Sequence, residues 1–254
     1  MSRLSALTAL LLFVLLGLGV LPSALAAPDE AVFGRLSWSV GDVYYREKGQ
    51  SDWTPVQANM PLSRNFELRT GKESRAELEV LESVQRLNEM TEISLAELDT
   101  SEDGLLEGVL QLIEGSVYTV WKNLSGAGVR VRSSNAVMAI RGTTFRAEAG
   151  QSSDLSVWVY EGQVDVNGDP GSAVPPPVMA PRASNGPPKS KGGPKSVAGP
   201  KSVSLKEWIQ IREGMQLVVH PDGRATLQTI DRVKDRESEW VRWNEERDLT
   251  LPRD

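Results

Sequence analysis

From Phe33 onward, apolar and polar residues alternate in short runs with a period of two. "GRLSWSV" puts Leu36, Trp38 and Val40 on one face. "SRAELEVL" sets Ala76, Leu78 and Val80 against Arg75, Glu77 and Glu79. "GSVYTVW" and "LSVWVYEGQVDV" continue the pattern. Alternation of this kind, rich in β-branched and aromatic residues and punctuated by glycine and charge, predicts half-buried strands. Helical periodicity is weak before residue 230. The expected fold class is therefore all-β.

A small recurrence refines that expectation. Glu114-Gly115, Glu161-Gly162 and Glu213-Gly214 each stand between two strand-like runs, and "VGDVYY" near residue 41 is a looser copy. Glycine accepts a positive φ without steric cost, so each site reads as a hairpin turn. The spacing is too irregular for a strict repeat. It predicts short strands stacked into a twisted β-roll or solenoid-like sandwich.

The pattern stops at residue 168. Nine of the 15 prolines fall between Pro170 and Pro200, within a degenerate Pro-Lys-Ser repeat. Such a stretch buries too little apolar surface to offset the entropy of ordering it. Residues 169–206 are therefore expected to be a disordered Pro/Lys/Gly/Ser-rich insertion. Residues 207–230 resume the β pattern and are expected to complete the domain of residues 27–168. The tail, residues 231–254, reads as a short C-terminal helix with Trp240, Trp243 and Val233 on one face, docking its tryptophans on the domain.

Residues 1–26 read as a signal peptide. Arg3 precedes an apolar run from Leu4 to Leu21, Pro22 breaks it, and Ala24-Leu25-Ala26 gives a small-x-small cleavage site. An uncleaved anchor is the alternative, so a membrane enters as partner only in that case. The expected location is periplasmic or extracellular.

Charge and chemistry narrow the function. The net charge is −6, and residues 27–169 carry 23 acids against 13 bases, which argues against nucleic acid as partner. There is no cysteine, hence no disulfide and no thiolate site. His220 is the only histidine, and it lies beside a Pro-Asp-Gly turn signal. No carboxylate pair, phosphate loop or metal spacing stands out. The sequence thus implies no enzyme, cofactor, catalytic residue or metal ligand. Trp38, Trp53, Trp121, Trp158 and Trp208 could line a glycan-binding row, although sheet packing is the commoner use of such residues.

One stretch breaks the pattern. In "NAVMAIRGTTFRAEAG", Arg141 and Gly142 interrupt an apolar strand. Glycine there suits a bulge or a close backbone approach. A buried arginine is costly unless paired, so Arg141 reads first as a clamp on strand register and second as an anion or partner site. The core Ile140-Arg141-Gly142-Thr143-Thr144-Phe145, with Val157, Val159, Tyr160, Glu161, Gly162 and Val164 after it, resembles the FecR domain family. "Leu-x-x-x-x-x-Leu-x-Thr-Gly" and "Ser-Arg-Ala-x-Leu" earlier in the chain extend the likeness to residues 33–168, with 207–230 as its possible continuation. Family regulators place a cytoplasmic anti-sigma segment and then a membrane helix before this domain. No cytoplasmic segment is recognised before the apolar run and no signal-receiving module after it, so the resemblance implies the extracytoplasmic domain alone. Its motif residues, Ile140, Arg141, Gly142, Thr143, Phe145, Glu161 and Gly162, are expected to be structural.

The expectation for function is a non-catalytic binding or scaffold module of the bacterial envelope, with an envelope protein or polysaccharide as partner. The alternatives are a sensory, signal-transducing regulator acting through a membrane partner, and a glycan- or peptidoglycan-binding module.

Overall fold

A computed structural model describes residues 34–63, 65–80, 83–100, 106–121, 128–140, 142–150, 154–169 and 200–251. The expected signal peptide, Arg141, and residues 170–199 of the expected insertion lie outside the described residues.

The described chain runs through β1 (Gly34–Val40), β2 (Val43–Glu47), β3 (Thr54–Pro55), β4 (Pro61–Leu62), β5 (Phe66–Thr70) and β6 (Arg75–Val80). It continues through β7 (Ser83–Leu87), β8 (Glu92–Thr100), β9 (Leu106–Trp121), β10 (Gly128–Arg132), β11 (Val137–Ile140) and β12 (Thr144–Ala149). Then come β13 (Leu155–Glu161), β14 (Gln163–Asn167), β15 (Lys201–Val203), β16 (Ile209–Arg212), β17 (Met215–Val219) and β18 (Ala225–Thr229). Two helices end it, α1 (Arg232–Asp235) and α2 (Glu239–Asp248). The all-β expectation is borne out, short C-terminal helix included.

Strand pairing builds two sheets. Sheet A has the spatial order β4-β1-β6-β7-β9-β12-β13-β17-β18-β15. Sheet B has the order β3-β2-β5-β8-β9-β10-β11-β14-β16. The long strand β9 belongs to both. Its first part pairs with β8 up to Glu114, and from Gly115 onward it pairs with β12. Every pairing is antiparallel except β9 with β10.

The alternating pattern explains the layering. Leu36, Leu78, Leu87, Val117, Phe145, Val157 and Leu217 of sheet A face inward, as do Leu68, Ile93, Leu110, Met138 and Val164 of sheet B. All join one buried apolar core. Polar residues that enter the interior hydrogen-bond to one another or to the backbone. Thr119 Oγ1 donates to Gln85 Oε1 at 2.5 Å, and Gln85 Nε2 donates to Ser83 Oγ at 3.0 Å.

The Glu-Gly sites are not hairpin turns. The chain crosses from one sheet to the other at each: β13 (sheet A) to β14 (sheet B) at Gly162, and β16 to β17 at Gly214. Gly115 makes the same crossing inside β9. A corner and a hairpin demand the same glycine locally, and only the pairing partners separate them. The true hairpins include β6–β7, β10–β11, β12–β13 and β17–β18.

Two corners show why glycine is required. Gly115 has φ +92°, and a Cβ there would collide with the Thr91 backbone. Gly162 has φ +80°, and a Cβ would stand 2.6 Å from the Gly142 carbonyl oxygen.

Residues 201–203, expected within the disordered insertion, form β15 along β18. The proline-rich composition ends at Pro200, and Val203 supplies a β-branched residue that packs on the core. Strands after residue 206 join those before residue 168 directly, β17 on β13 and β16 on β14.

Gly162→Ala is expected to destabilise the fold by about 1–3 kcal/mol, from backbone strain plus the carbonyl clash. Gly223 has nearly the same φ, +79°, but open space around its Cα. Gly223→Ala should therefore cost no more than about 1 kcal/mol. Paired denaturant titrations of the two variants check this.

Candidate functional site

The described motif residues meet at one corner. Ile140 ends β11 in the core, and Gly142 turns the chain toward β12. Thr143 is buried and donates its Oγ1 to the Gln163 carbonyl at 2.7 Å. Phe145 is wholly buried. Glu161 is exposed opposite Thr144, and Gly162 lies against Gly142. A bulge sits on β13: Thr144 pairs with Glu161 and Phe145 with Val159, leaving Tyr160 over. That extra residue joins the outer-face aromatic cluster.

The outer face of sheet A carries the densest chemistry. Register aligns one row across eight strands: Trp38, Glu77, Arg86, Tyr118, Arg146, Trp158, Gln216 and Gln228. Directly opposed residues on one face interact across the pairs. Read singly along the sequence, these residues look like solvated positions. Together they make a charged and aromatic floor.

The C-terminal segment lies on this floor. Asp231 caps α1, accepting from the Val233 and Lys234 backbone N–H groups. Asp235 Oδ1 accepts from Arg146 Nη2 at 2.8 Å, and its Oδ2 accepts from Tyr160 at 2.9 Å. Along α2, Trp240 is buried and donates Nε1–H to Ser116 Oγ at 3.1 Å. Trp243 stacks on Trp240 at 5.2 Å between ring centroids and leans on Trp38 at 5.6 Å. The Arg247 guanidinium lies over Trp38 and donates to Glu77. Arg75 stacks on both helix tryptophans and pairs with Glu239. The expected docking of Trp240 and Trp243 is thus observed. Val233 does not share that face, being 79% exposed, because the segment breaks after Asp235 and restarts at Glu239.

Arg86 sits at the centre with no exposed surface. It donates to Glu77 Oε2 at 2.9 Å, to Asp248 Oδ1 at 2.5 Å, and to the Asn244 carbonyl at 3.3 Å. Burial works to raise the pKa of Glu77, but hydrogen bonds and attraction from Arg247 and Arg86 outweigh it, and the carboxyl titrates below its ordinary 4.5. For Asp248 the balance reverses: burial prevails over the pull of Arg86 and its pKa rises. Tyr118 and Tyr160 stack at 5.5 Å, and burial pushes both phenols well up, with Asp248 and Asp235 adding to it. Most of these groups are paired donors and acceptors, an arrangement that clamps the helix to the sheet.

Beside α2 a cleft of about 200 Å³ opens, lined by Tyr118, Tyr160, Glu161, Arg232, Glu245 and Asp248 among others.

The outer face of sheet B is different. No described helix packs on it. The half-buried Trp53 ring is contacted by both Arg46 and Arg69, each guanidinium 4.3 Å from the ring centroid. Arg69 also lies over Tyr44, at 5.5 Å. Arg46 is paired with Glu67 at 2.5 Å. A neighbouring hollow of about 340 Å³ is lined by Tyr44, Arg69, Met90, Glu92 and Glu114 among others.

The tryptophans do not form one row. Trp38 packs under α2 and Trp158 under Arg146 in sheet A; Trp121 is in the core, and Trp53 stands on sheet B. His220 lies in the β17–β18 turn, where its carbonyl accepts from Gly223 N–H at 2.9 Å.

Comparison with known proteins bears out the family resemblance. Residues 66–165 match the family described as FecR protein. Two crystal structures of a protein from Parabacteroides distasonis ATCC 8503, provisionally described as an anti-sigma factor, align at 16% identity with a TM-score of 0.43. The alignment covers 65% of this chain and spans 60% of theirs. No curated protein matches the chain. Among the described residues no helix is long and apolar enough to cross a membrane.

Arg86→Ala should cost about 3–5 kcal/mol, because it strands Glu77 and Asp248 beneath the helix. In a chain of this size that lowers the melting temperature by roughly 6–20 °C, which calorimetry would read.

A pH series tests the depressed Glu77. Its pKa is lower folded than unfolded, so its contribution is complete above the unfolded value of 4.5 and is lost as pH falls through the folded value. The stability of Glu77→Gln should therefore fall less steeply than that of the parent below pH 4.5. Equal slopes for the two proteins would show that Glu77 is not held ionised by its arginines.

Proposed function

We propose that this protein is an exported, non-catalytic binding module of the bacterial cell envelope, and that it engages its partner through the outer face of sheet B. The reading rests on one observation: Trp53, held by Arg46 and Arg69 with Tyr44 beyond, on a face that no described helix covers. Aromatic rings held flat by guanidinium groups offer a rigid apolar platform edged with hydrogen-bond donors, suited to sugar rings bearing acidic groups. Arg46 is committed to Glu67, whereas no carboxylate partner of Arg69 is seen among the described residues. An acidic envelope polysaccharide or a peptidoglycan strand meets both demands. The N-terminal export pattern and the FecR match agree with an extracytoplasmic site of action.

The FecR match also favours a second reading, a signal-transducing regulator that acts through a membrane partner. There the same face would contact a protein.

Titrating the protein with soluble peptidoglycan fragments and with alginate, read by tryptophan fluorescence, is the test. Quenching by one of them, weakened at least about tenfold in Trp53→Ala and in Arg69→Ala, is the expected result. An unchanged signal with both, together with a cross-link from position 53 to an inner-membrane protein in intact cells, would favour the regulator.

A further inference from the structure

α2 reaches its seat through a connector of three exposed residues, Arg236, Glu237 and Ser238. Apart from the buried Val241, its contacts with sheet A are polar or aromatic: Glu239 to Arg75, Trp240 to Ser116, Arg247 to Glu77 and Trp38, and Asp248 to Arg86 and Tyr118. With one aliphatic side chain among its contacts, the seat is more polar than a domain core and closer in composition to a protein–protein interface. The packing is also incomplete. The cleft beside α2 remains open, and Nη2 of Arg86 has no hydrogen-bond partner among the described residues.

All of the groove's groups stand on strands, so each copy of the chain presents the same groove and the same helix. The one segment whose charges and rings match the groove throughout is α2 itself. We propose that the groove also accepts α2 of a second copy, and that the chain forms a reciprocal dimer by exchanging this helix. Every contact of α2 with sheet A is preserved in the exchange, and only the connector changes course. The assembly closes on itself with twofold symmetry. This inference is independent of what the face of sheet B binds.

A short tether gives α2 an effective concentration on the order of millimolar at its own groove. The parent chain is therefore monomeric at micromolar concentration, with dimer appearing near the millimolar range.

The test removes the intramolecular option. Deleting Glu237 and Ser238 from the full-length chain shortens the connector by about 7 Å of reach, while Asp235 stays anchored on Arg146 and Tyr160. Sedimentation equilibrium should then show a dimer with a dissociation constant at least about tenfold below that of the parent. Adding Trp240→Ala and Asp248→Asn should abolish it. A deletion chain that stays monomeric throughout that range would overturn the proposal, as would a dimer indifferent to those two substitutions. Should the deletion chain fail to fold, full-length Arg75→Glu and Glu239→Arg chains are mixed instead. Each carries a like-charge mismatch at its own groove, and exchange between the two chains relieves it in both seats. Mixed dimer in excess of either chain alone supports the exchange, and no excess refutes it.

Discussion

The outer face of sheet A depends on a buried arginine. Arg86 has no exposed surface, yet it stands on the side of β7 turned away from the apolar core. Its cross-strand neighbours are Glu77 and Tyr118, and one carboxylate with a phenol does not satisfy a five-donor fork. The remaining acceptors, the Asp248 carboxylate and the Asn244 carbonyl, come from α2. The helix is thereby required where it lies. It draws in Arg247 over Trp38, so the first described strand and the last helix are fastened through one cluster. In a chain without cysteines this closure does by packing and charge what a disulfide would do covalently.

The second constraint is the double membership of β9. A strand of 16 residues would flatten or overshoot a single small sheet. The break at Gly115 lets its two parts serve opposite layers, and the parallel pairing of β10 with its first part completes one turn of a coil around the core. Strands before β9 and strands after it pair against the two halves of this one element. A corner side chain at position 115 would meet the Thr91 backbone, which is why the crossing tolerates no Cβ.

The layers were legible in the sequence because period-two alternation is a local signal, and Ala76, Leu78 and Val157 all point where it places them. In β1 it fails: a register shift between Leu36 and Trp38 leaves Leu36 in the core and puts Trp38 on the outer face, although alternation groups the two. The corners were not. Glu161-Gly162 satisfies the local requirement of a hairpin and of a sheet crossing equally, and the choice lies in partners tens of residues away. The outer face was hidden for the same reason. Glu77, Arg86 and Arg146 look like the polar half of amphipathic strands until register brings them into line beneath a helix from the far end of the chain. The helix itself was readable from Trp240 and Trp243, but its interruption after Asp235 was not, since the partners that anchor Asp235, Arg146 and Tyr160, lie on strands far back in the chain. Trp53 was visible as a tryptophan only, since the arginines that hold it come from β2 and β5.

Why retain charge where apolar packing would stabilise as well? Buried ion pairs recover little beyond their desolvation cost, and a hydrophobic replacement of equal volume is often as stable. They differ in what they forbid. A one-residue slip of β7 would turn Arg86 into the core and Leu87 outward, exchanging the faces of the strand. With leucine at position 86 the slipped register would turn Val84 and the new leucine inward, and the penalty would be small. With arginine, the slipped register places an unpaired charge between the sheets. The same holds for Glu77 on β6 and Arg146 on β12, so three strands carry the same prohibition. An open sandwich of short strands with irregular corners has many near-equivalent pairings available. The charged row removes them by making one register alone able to meet Asp248 and Asp235, and α2 is held in place as the element that completes that choice.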